Sequence, residues 1–397
     1  MGVAPFTPGK REMQFELEDW QVSATESLSR YLSAEVAPMV ESYEDEHRLP
    51  PPEVIRKMHD FGLLGGLLKE ADGGAGLDYV TYCTLLAELS RVWPSLRSII
   101  TVSNLALMIL AERGTDAQRQ RYLNALVKGE KLAFFALTEP NVGSDAGHVE
   151  TRAVETDGGW LLNGRKLYIS NGPAADLGIV FARTGEKNGR PAVSALIVEK
   201  GMPGFTSVRV RSMGMNCCPL GELLFDDVLV PKENLVGERG AAFEIAKHYL
   251  NLGRCFVSFV CLGLSQAAFD AAVRYAGERR QFGRPIGQFQ LVQQMIADMM
   301  TWLETSRLLS YRAAVALDRQ HADGARYCSM AKRHNSEAVL RVCETALQVH
   351  GGAGYTRDFP VERFYRDARH LTIAEGTNQI QALLLAQSVL GLSALRG

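Results

Sequence analysis

A single carboxylate lies at the centre of residues 371–380, which read Leu-Thr-Ile-Ala-Glu-Gly-Thr-Asn-Gln-Ile. Desolvation by the apolar neighbours would raise the pKa of Glu375 towards the range in which a general base works near neutral pH. Gly376 would let the backbone approach a ligand closely, and Thr377 and Gln379 supply hydrogen-bonding side chains. The same residues are also typical of a helix start capped by Thr377. Taken alone, the segment is consistent with either interpretation.

Two other segments place small polar residues directly after apolar runs. Residues 135–145 read Phe-Ala-Leu-Thr-Glu-Pro-Asn-Val-Gly-Ser-Asp, and residues 168–172 read Tyr-Ile-Ser-Asn-Gly. Backbone amides and the hydroxyls of Thr138 or Ser144 would bind a planar, polar ligand in the first segment. The second segment offers an aromatic face and a hydroxyl group. Each segment is equally consistent with an ordinary turn between structural elements.

A cluster of arginines occurs in residues 278–284, which read Glu-Arg-Arg-Gln-Phe-Gly-Arg. The guanidinium fork matches the oxygen atoms of a phosphate, so this cluster is a candidate site for a phosphate-bearing ligand. A predicted helix ends at this cluster, and basic residues at a helix C-terminus also stabilise the helix dipole. The cluster therefore predicts either a phosphate contact or a helix end.

Several function classes are disfavoured by composition and by missing motifs. A net charge of −2 disfavours general nucleic-acid binding, which requires a basic face. The eight histidines show no ligand spacing, so no metal site is predicted. No Gly-x-Ser-x-Gly motif is present, which argues against a serine hydrolase. The glycines of residues 351–354 follow a predicted helix rather than a strand, which disfavours nicotinamide binding in a Rossmann domain.

The cysteines and the apolar stretches indicate where the protein resides. The seven cysteines are odd in number and form no CxxC pair, which is typical of buried reduced thiols in a cytoplasmic protein. Only the adjacent Cys217 and Cys218 are candidates for thiol reactivity. The longest apolar stretch, residues 99–111, is interrupted by polar residues and is shorter than a membrane span. The sequence therefore predicts a cytoplasmic protein without a membrane segment.

The periodicity of the apolar residues changes twice along the chain. Residues 16–132 repeat at three- and four-residue steps, residues 133–240 alternate as strands do, and residues 241–397 return to the helical period. An Asn163-Gly164 dipeptide predicts a hairpin within the strand region. The predicted fold is α+β and multidomain, with an N-terminal α-helical domain, a middle antiparallel β-barrel or sandwich and a C-terminal four-helix bundle. Residues 1–15 are predicted to be a flexible leader.

Five segments together resemble the acyl-CoA dehydrogenase family over about residues 16–392. The matching segments are Leu-Thr-Glu-Pro-Asn-Val-Gly-Ser-Asp (137–145), Tyr-Ile-Ser-Asn-Gly (168–172), Arg-Arg-Gln-Phe-Gly (279–283), Gln-Val-His-Gly-Gly-Ala-Gly (348–354) and Glu-Gly-Thr-Asn-Gln-Ile (375–380). Each segment is a loose signature when it stands alone. Five of them in this order, within an α-β-α arrangement, are specific to the family.

The resemblance implies a reaction and a base. In this family a carboxylate removes the α-proton of an acyl thioester while hydride leaves the β-carbon for N5 of the flavin in FAD, which gives a trans-2-enoyl thioester. Glu375 is the residue that matches the base. Some members carry the base on the long helix of the third domain instead, where the resemblance places Arg254 of this chain. Arg254 then resembles the residue that orients the substrate end of that helix.

The resemblance also implies a set of FAD contacts, some of which would come from a neighbouring subunit. Leu137 and Thr138 would bond the flavin ring, with Phe135 beside it, Tyr168 stacked near it and Ser170 reaching N5. The diphosphate and adenosine would be held by residues of the neighbouring subunit, and two residues beside the base would close over the cofactor. The residues of the neighbouring subunit would be Arg279, Gln281, Phe282, Gln290, Gln348, Gly351 and Gly352. The two residues beside the base are Thr377 and Gln379. A shared cofactor implies a homo-oligomer, either a dimer or a tetramer.

The substrate is open between two branches of the family. Arg97-Ser98 and Asn251 resemble the glutaryl-CoA dehydrogenase branch, in which such an arginine pairs with the far carboxylate of the substrate. The alternative for Arg97 is a surface arginine after Pro94, and Ala374 replaces the tyrosine usual in that branch. The segments around Arg97 and Arg254 also resemble dehydrogenases of acyl groups on a carrier protein, as in polyketide extender-unit biosynthesis, where a hydroxyl-bearing carbon is sometimes oxidised. In either branch Ser144 would contact the pantetheine arm.

Two further interpretations concern the fate of the electrons and the loss of catalysis. The family passes electrons to an electron-transfer flavoprotein or another acceptor, and an oxidase that reduces oxygen is an alternative. A flavin-containing, non-catalytic protein of this fold that binds nucleic acid is a third possibility. The near-neutral charge and the retained Glu375 argue against it.

Overall fold

The N-terminal part of the chain forms six helices, as the three- and four-residue repeats predict. The computed structural model describes residues 16–187 and 189–395, so the predicted leader lies outside the described residues. The helices are α1 (Asp19–Tyr31), α2 (Ala37–Glu46), α3 (Pro52–Asp60), α4 (Tyr79–Val92), α5 (Pro94–Arg113) and α6 (Asp116–Val127). Proline stands at the start of α3 and α5, where its missing N–H costs no hydrogen bond. Helix α5 is buried along most of its length and forms the centre of this region.

The middle of the chain forms one eight-stranded sheet. Its strands are β1 (Ala133–Ala136), β2 (Arg152–Thr156), β3 (Gly159–Ser170), β4 (Leu177–Lys187), β5 (Arg190–Glu199), β6 (Phe205–Val210), β7 (Leu220–Val230) and β8 (Leu235–Val236). Seven strands follow the order β6-β7-β3-β2-β4-β5-β8, and β1 pairs with β4. Most pairs are antiparallel as predicted, but β1 and β2 run parallel to β4. Alternation of apolar residues reports burial and not strand direction, so the sequence pattern could not reveal the parallel pairs.

The predicted hairpin at Asn163-Gly164 is wrong. Strand β3 runs without a break from Gly159 to Ser170, and the dipeptide forms a bulge in its pairing with β7. The Asn163 side chain exchanges two hydrogen bonds of 2.9 Å with Asp227 on β7. Gly164 has φ +141°, and a Cβ atom there would lie 2.7 Å from the Thr151 backbone. The glycine therefore serves close packing of two chain segments and not a turn.

The C-terminal part is the predicted bundle of three long helices and one shorter helix. These are α7 (Ala242–Glu278), α8 (Gln290–Asp318), α9 (Gly324–His350) and α11 (Asn378–Leu390). A short hairpin of β9 (Arg280–Gln281) and β10 (Arg284–Pro285) joins α7 to α8. Helix α10 (Val361–Arg369), which the sequence pattern did not reveal, precedes the segment of Glu375. Its residues are mostly charged, so its apolar stripe is narrow.

One apolar core joins the N-terminal and C-terminal helices, while the sheet has a second core of its own. Helices α5 and α7 are both long and apolar enough to cross a membrane by length and composition. Residues 99–111 therefore underestimate the apolar length of α5, because the helix extends over Pro94–Arg113. Within the protein, 89% of the most apolar window of α5 and 67% of that of α7 are buried.

Candidate active site

Glu375 lies in a left-handed turn between α10 and α11. Its φ is +57°, and that of Gly376 is +86°. Thr377 accepts a hydrogen bond of 3.3 Å from the Ile380 amide and caps α11, as the cap interpretation predicts. The cap and the base interpretations are therefore compatible, because the turn that starts α11 also aims the Glu375 side chain inward.

The carboxylate of Glu375 lies against α7. Its Oε2 atom is buried and has no hydrogen-bond partner in the described chain. A Cβ atom at Gly253 would lie only 2.7 Å from Oε2, so glycine at this position makes room for the carboxylate. Burial raises the pKa of Glu375 to about 7, although the charges of Arg254, Lys332 and Arg97 oppose the rise. A carboxyl group with this pKa accepts a proton readily near neutral pH.

The position of α7 that faces this carboxylate is Gly253 and not Arg254, which corrects the placement suggested by the resemblance. Arg254 points at the backbone instead, since its Nε donates to the Glu375 carbonyl at 3.2 Å. Its Nη1 donates to Asn251 Oδ1, so the predicted substrate residue Asn251 is engaged in orienting Arg254. Residue 253 is therefore the position on α7 that borders the space of the Glu375 carboxylate.

Two residues to which the sequence analysis assigned no function, Gln381 and Lys332, bind the backbone of the same turn. Gln381 Nε2 donates to the carbonyls of Glu375 and Gly376, at 3.1 Å and 3.0 Å. Lys332 Nζ, from α9, donates to the Gly376 carbonyl at 2.9 Å. The sequence signal for Lys332 is its helical spacing from Cys328 and Val339, which places it on the buried face of α9.

Arg97 lies in the first turns of α5 and is buried, with 4% of its surface exposed. Neither its Nε nor its Nη2 atom has a hydrogen-bond partner in the described chain. Burial lowers the pKa of Arg97 to about 10, and the nearby groups that counteract this include Cys218 and Glu375. The alternative of a surface arginine is therefore wrong, and Arg97 is a buried cation that forms no ion pair within the described part of the chain.

Cys218, which the sequence marked only as a candidate reactive thiol, lies beside this arginine. It is buried, contacts the hydroxyls of Ser98 and Ser170, and lies 3.9 Å from Asn171 Oδ1. Burial raises the pKa of the thiol despite the charge of Arg97. All seven cysteines are free and buried, as predicted, and burial also raises the pKa of Cys217. Neither thiol therefore has the lowered pKa that marks a nucleophile.

The predicted flavin-ring residues come from the ends of β1 and β3. Phe135 packs on Phe181 with ring centroids 4.8 Å apart, and the Leu137 carbonyl accepts a hydrogen bond from Lys166. Tyr168 has φ +60° and leaves 60% of its surface exposed. Thr138, two residues beyond β1, uses neither its amide nor its hydroxyl as a donor within the described chain. An exposed aromatic ring beside free donors fits a planar cofactor with polar edges.

The remaining predicted cofactor and substrate residues lie at the surface. Ser144 is exposed, and Thr377 and Gln379 line a cleft of about 430 Å³ together with Arg369. The exposed residues expected to contact the diphosphate and adenosine are Arg279, Gln281, Phe282, Gln290, Gln348, Gly351 and Gly352. Arg279 follows the far end of α7, about 38 Å along the helix from Arg254 at 1.5 Å per residue. One chain therefore does not bring Arg279 to its own Glu375.

No cluster of three or more potential metal ligands occurs among the described residues.

Comparison with known proteins assigns all three regions to one family. The N-terminal, middle and C-terminal domains of acyl-CoA dehydrogenases match residues 19–130, 134–228 and 240–390. An acyl-CoA dehydrogenase of Bacillus subtilis is 40% identical over 373 residues, which cover 94% of this chain and 98% of the relative. A short-chain specific acyl-CoA dehydrogenase of Clostridium acetobutylicum is 36% identical over 95% of this chain and 100% of its own length. The caffeyl-CoA reductase-Etf complex subunit CarC of Acetobacterium woodii is 39% identical, over 86% of this chain and 90% of its own length.

Solved structures give the same assignment. A glutaryl-CoA dehydrogenase in complex with glutaryl-CoA has a TM-score of 0.92 and 34% identity, covering 97% of this chain and 98% of the other. Butyryl-CoA dehydrogenase of Megasphaera elsdenii has a TM-score of 0.90 and 35% identity, covering 95% and 100%. The prolyl acyl carrier protein oxidase AnaB has a TM-score of 0.89 and 29% identity, again covering 95% and 100%. This chain therefore belongs to the acyl-CoA dehydrogenase family, whose members are FAD-dependent oxidoreductases that act on the CH–CH bond of acyl thioesters.

Proposed function

We propose that this enzyme oxidises a short acyl-CoA whose acyl tail ends in a carboxylate, with Glu375 as the base and Arg97 as the partner of the tail. The observation that carries the substrate assignment is the buried guanidinium of Arg97, whose Nε and Nη2 atoms lack partners in the described chain. A buried charge without a partner is costly, so its retention favours an anionic ligand. An acyl chain without a carboxylate would leave the buried guanidinium of Arg97 unpaired during turnover.

The surroundings of Arg97 strengthen its attraction for an anion. Arg97 is close to the N-terminus of α5, where the helix dipole is positive. The hydroxyl of Ser95 on the same turn is also buried and has no hydrogen-bond partner among the residues that the structure describes. His370 donates from Nδ1 to the Asp367 carbonyl at 2.7 Å. Burial, together with the charge of Arg97, lowers the pKa of His370 to about 4, so this ring is neutral at physiological pH. A carboxylate would therefore meet one cation, flanked by neutral hydrogen-bonding groups.

The proposed catalytic step uses the depth and orientation of Glu375. Ionised Glu375 takes the α-proton of the thioester, and the protonated carboxyl group is then tolerated because its site is largely dry. When bound, FAD accepts the hydride that leaves the β-carbon. Leu137, Thr138, Tyr168 and Ser170 would hold the flavin ring. Gly253 leaves the space in which the Glu375 carboxylate lies.

The position of the outer cofactor residues supports a homo-oligomer. Since Arg279 follows the C-terminal end of α7, about 38 Å along the helix from Arg254 beside Glu375, the segment from Arg279 to Phe282 would contact FAD bound in a neighbouring subunit. The exposed apolar side chains support an interface in this part of the chain. Phe282 is 92% exposed, and Leu291, Val389 and Leu390 are also exposed. We assign the enzyme a cytoplasmic location and a dimeric or tetrameric state.

Two relatives suggest the electron acceptor and an alternative substrate carrier. The likeness to CarC of an Etf complex supports an electron-transfer flavoprotein as the acceptor. The likeness to AnaB supports an acyl group held on a carrier protein, with oxygen as acceptor, as the alternative. CoA and a carrier protein present the acyl group on the same phosphopantetheine thioester, so both would use the same base. The two carriers would be distinguished by the protein surface outside the acyl site.

An anaerobic titration of the purified flavoprotein tests the proposal. The oxidised flavin absorbance is followed during addition of butyryl-CoA, glutaryl-CoA and the same acyl groups on a carrier protein. We expect glutaryl-CoA to reduce the flavin at lower concentration than butyryl-CoA. Equal titration by the two CoA esters would contradict the role of Arg97. Reduction only by carrier-bound acyl groups would replace CoA with the carrier, and a preparation unable to take up FAD would contradict the function as a whole.

A further inference from the structure

We propose that Lys332 is a positioning residue for the base, which holds the turn of Glu375 in place and whose charge keeps this carboxylate ionised near neutral pH. The inference rests on the proposed role of Glu375. It concerns a lysine on α9, far from the segment 371–380 in sequence, and it assigns this lysine both a geometric and an electrostatic effect.

The geometric effect is visible in the contacts of the ammonium group. The Lys332 side chain is fully buried, and Nζ donates to the Gly376 carbonyl and to Asn378 Oδ1, each at 2.9 Å. These two acceptors flank Thr377, which caps α11. Lys332 therefore ties the left-handed turn of Glu375 and Gly376 to α9, and a shift of this turn would move the carboxylate.

The two other side chains that hold the turn do not duplicate this role. Gln381 Nε2 binds the Glu375 and Gly376 carbonyls but carries no charge. Arg254 binds the Glu375 carbonyl from α7 rather than from α9, and is also engaged with Asn251. Among the described residues, Lys332 alone joins the turn to α9 through a charged donor.

The electrostatic effect follows from the acceptors of Lys332. Both are neutral oxygens, and no carboxylate of the described chain lies within salt-bridge distance of Nζ. Its charge is therefore not neutralised by an ion pair. The ionisable groups around Lys332 are Cys261, Glu375, Arg254 and Glu337, and those around Glu375 are Arg254, Lys332 and Arg97. His370 faces Arg97 and Lys332 as well, but it is neutral at physiological pH.

Glu375 and Lys332 each shift the pKa of the other towards its charged form. Burial raises the pKa of Glu375 to about 7, and the Lys332 charge keeps it from rising further. Burial lowers the pKa of Lys332 to about 8, and the Glu375 charge opposes that fall. Removing the charge at residue 332 should therefore raise the pKa of Glu375. A larger fraction of the enzyme would then hold a protonated base at neutral pH.

The test compares the pH dependence of single-turnover flavin reduction in four holoenzyme variants with that of the wild type. Lys332→Met removes both bonds and the charge, Lys332→Gln keeps a donor without the charge, and Lys332→Arg keeps the charge with an altered fit. Ser336→Ala is the matched control, because Ser336 donates to the same Asn378 Oδ1 at 3.0 Å but carries no charge. The carboxyl stretching band of Glu375, identified by its loss in Glu375→Gln, gives the protonation state directly in the infrared without turnover.

We expect the midpoint of the rate and of the infrared band to move up by about one pH unit in Lys332→Met and Lys332→Gln. Lys332→Arg should keep the wild-type midpoint at a lower maximal rate, and Ser336→Ala should keep both the midpoint and the rate. Unmoved midpoints in both neutral variants would overturn the inference. So would an equal shift in Lys332→Arg. If Lys332→Met does not fold, Lys332→Gln and Lys332→Arg still decide between charge and fit.

The outcome for Glu375→Gln separates this inference from the proposed function. If Glu375→Gln reduces flavin as the wild type does, Glu375 is not the base and both proposals fall. If Glu375→Gln is inactive while the midpoints of the neutral Lys332 variants do not move, only the inference about Lys332 falls.

Discussion

Buried charges occur both in the sheet and in the acyl site, and the two regions satisfy them differently. In the sheet, Lys166 donates to Glu139 Oε1 at 2.7 Å and to the Leu137 carbonyl at 2.9 Å, and Glu139 accepts two further backbone hydrogen bonds. In the acyl site, neither Arg97 nor Glu375 has an ion-pair partner within the described chain. The buried charges of the sheet therefore pair with each other, whereas those of Arg97 and Glu375 stay unpaired within the described residues.

The pKa values of Glu139 and Glu375 are shifted in opposite directions, although both carboxylates are buried. Burial acts to raise the pKa of both, but the Lys166 ammonium and the backbone donors hold the pKa of Glu139 below its ordinary value. Glu375 has more distant cations and no donor on Oε2, so its pKa is raised. The comparison indicates that ionised Glu139 stabilises the folded protein, whereas ionised Glu375 destabilises it and is the more reactive carboxylate.

Replacement of Glu375 should have the largest effect on catalysis. Glu375→Gln removes the base at nearly constant shape, so flavin reduction by a thioester should fall by at least about 10²- to 10⁴-fold. FAD binding and the thermal midpoint should not fall, because the carboxylate has no ion-pair partner to lose. Stopped-flow absorbance and thermal unfolding measure the two effects. A fall in thermal stability with retained flavin reduction would reverse our assignment.

Breaking the ion pair of the sheet should have a large effect on stability. Lys166→Met leaves the buried Glu139 carboxylate without its cation, and loss of one partner of a buried pair costs about 3 to 5 kcal/mol. Chemical denaturation of Lys166→Met and of the double variant Lys166→Met/Glu139→Gln measures the difference. The double variant should recover part of the loss because it leaves no buried charge behind. Equal stability of the wild type and Lys166→Met would contradict the comparison.

Replacement of Arg97 should affect substrate preference rather than folding. Arg97→Met should weaken kcat/KM for glutaryl-CoA relative to butyryl-CoA by about 2 to 5 kcal/mol, if a buried charge pair forms with the tail. The free energy of unfolding should stay equal or increase, because a buried cation without a partner is removed. Steady-state kinetics with both esters supply the ratio. An equal loss for both esters would show that Arg97 does not recognise the tail.

The smallest expected effect is the dependence of stability on pH. Because the folded-state pKa of Glu375, about 7, exceeds its unfolded value, the stability that it contributes is complete below the unfolded pKa. This contribution is lost as the pH rises through about 7. Glu139 has the opposite sign, since its lowered pKa gives stability that is lost as the pH falls. Glu375→Gln should therefore flatten the decline of the unfolding free energy between pH 5 and 7, which denaturation series can measure; an unchanged slope would contradict the raised pKa.

Local sequence determined the helices and most of the strands, because both depend on apolar periodicity and on start signals within a few residues. Proline at the starts of α3 and α5, and Thr377 at the cap of α11, are examples. The bulge at Gly164 was misjudged, because its cause lies in the backbone of Thr151 rather than in its neighbours. Likewise, the parallel pairing of β1 with β4 depends on strands that are distant in sequence.

The same division holds for the site. Glu375 was recognisable because it occurs in a segment whose residue types suit the chemistry, whereas Arg97 and Arg254 were indicated by the family resemblance. Only the tertiary structure revealed that Gly253 makes room for the carboxylate and that Lys332 and Gln381 hold its turn. The bond between Arg254 and Glu375 spans 121 residues, and that between Lys332 and Gly376 spans 44. Sequence specified which residues can react, and packing of distant helices decided which of their charges stay unpaired, because desolvation depends on every element that surrounds a group.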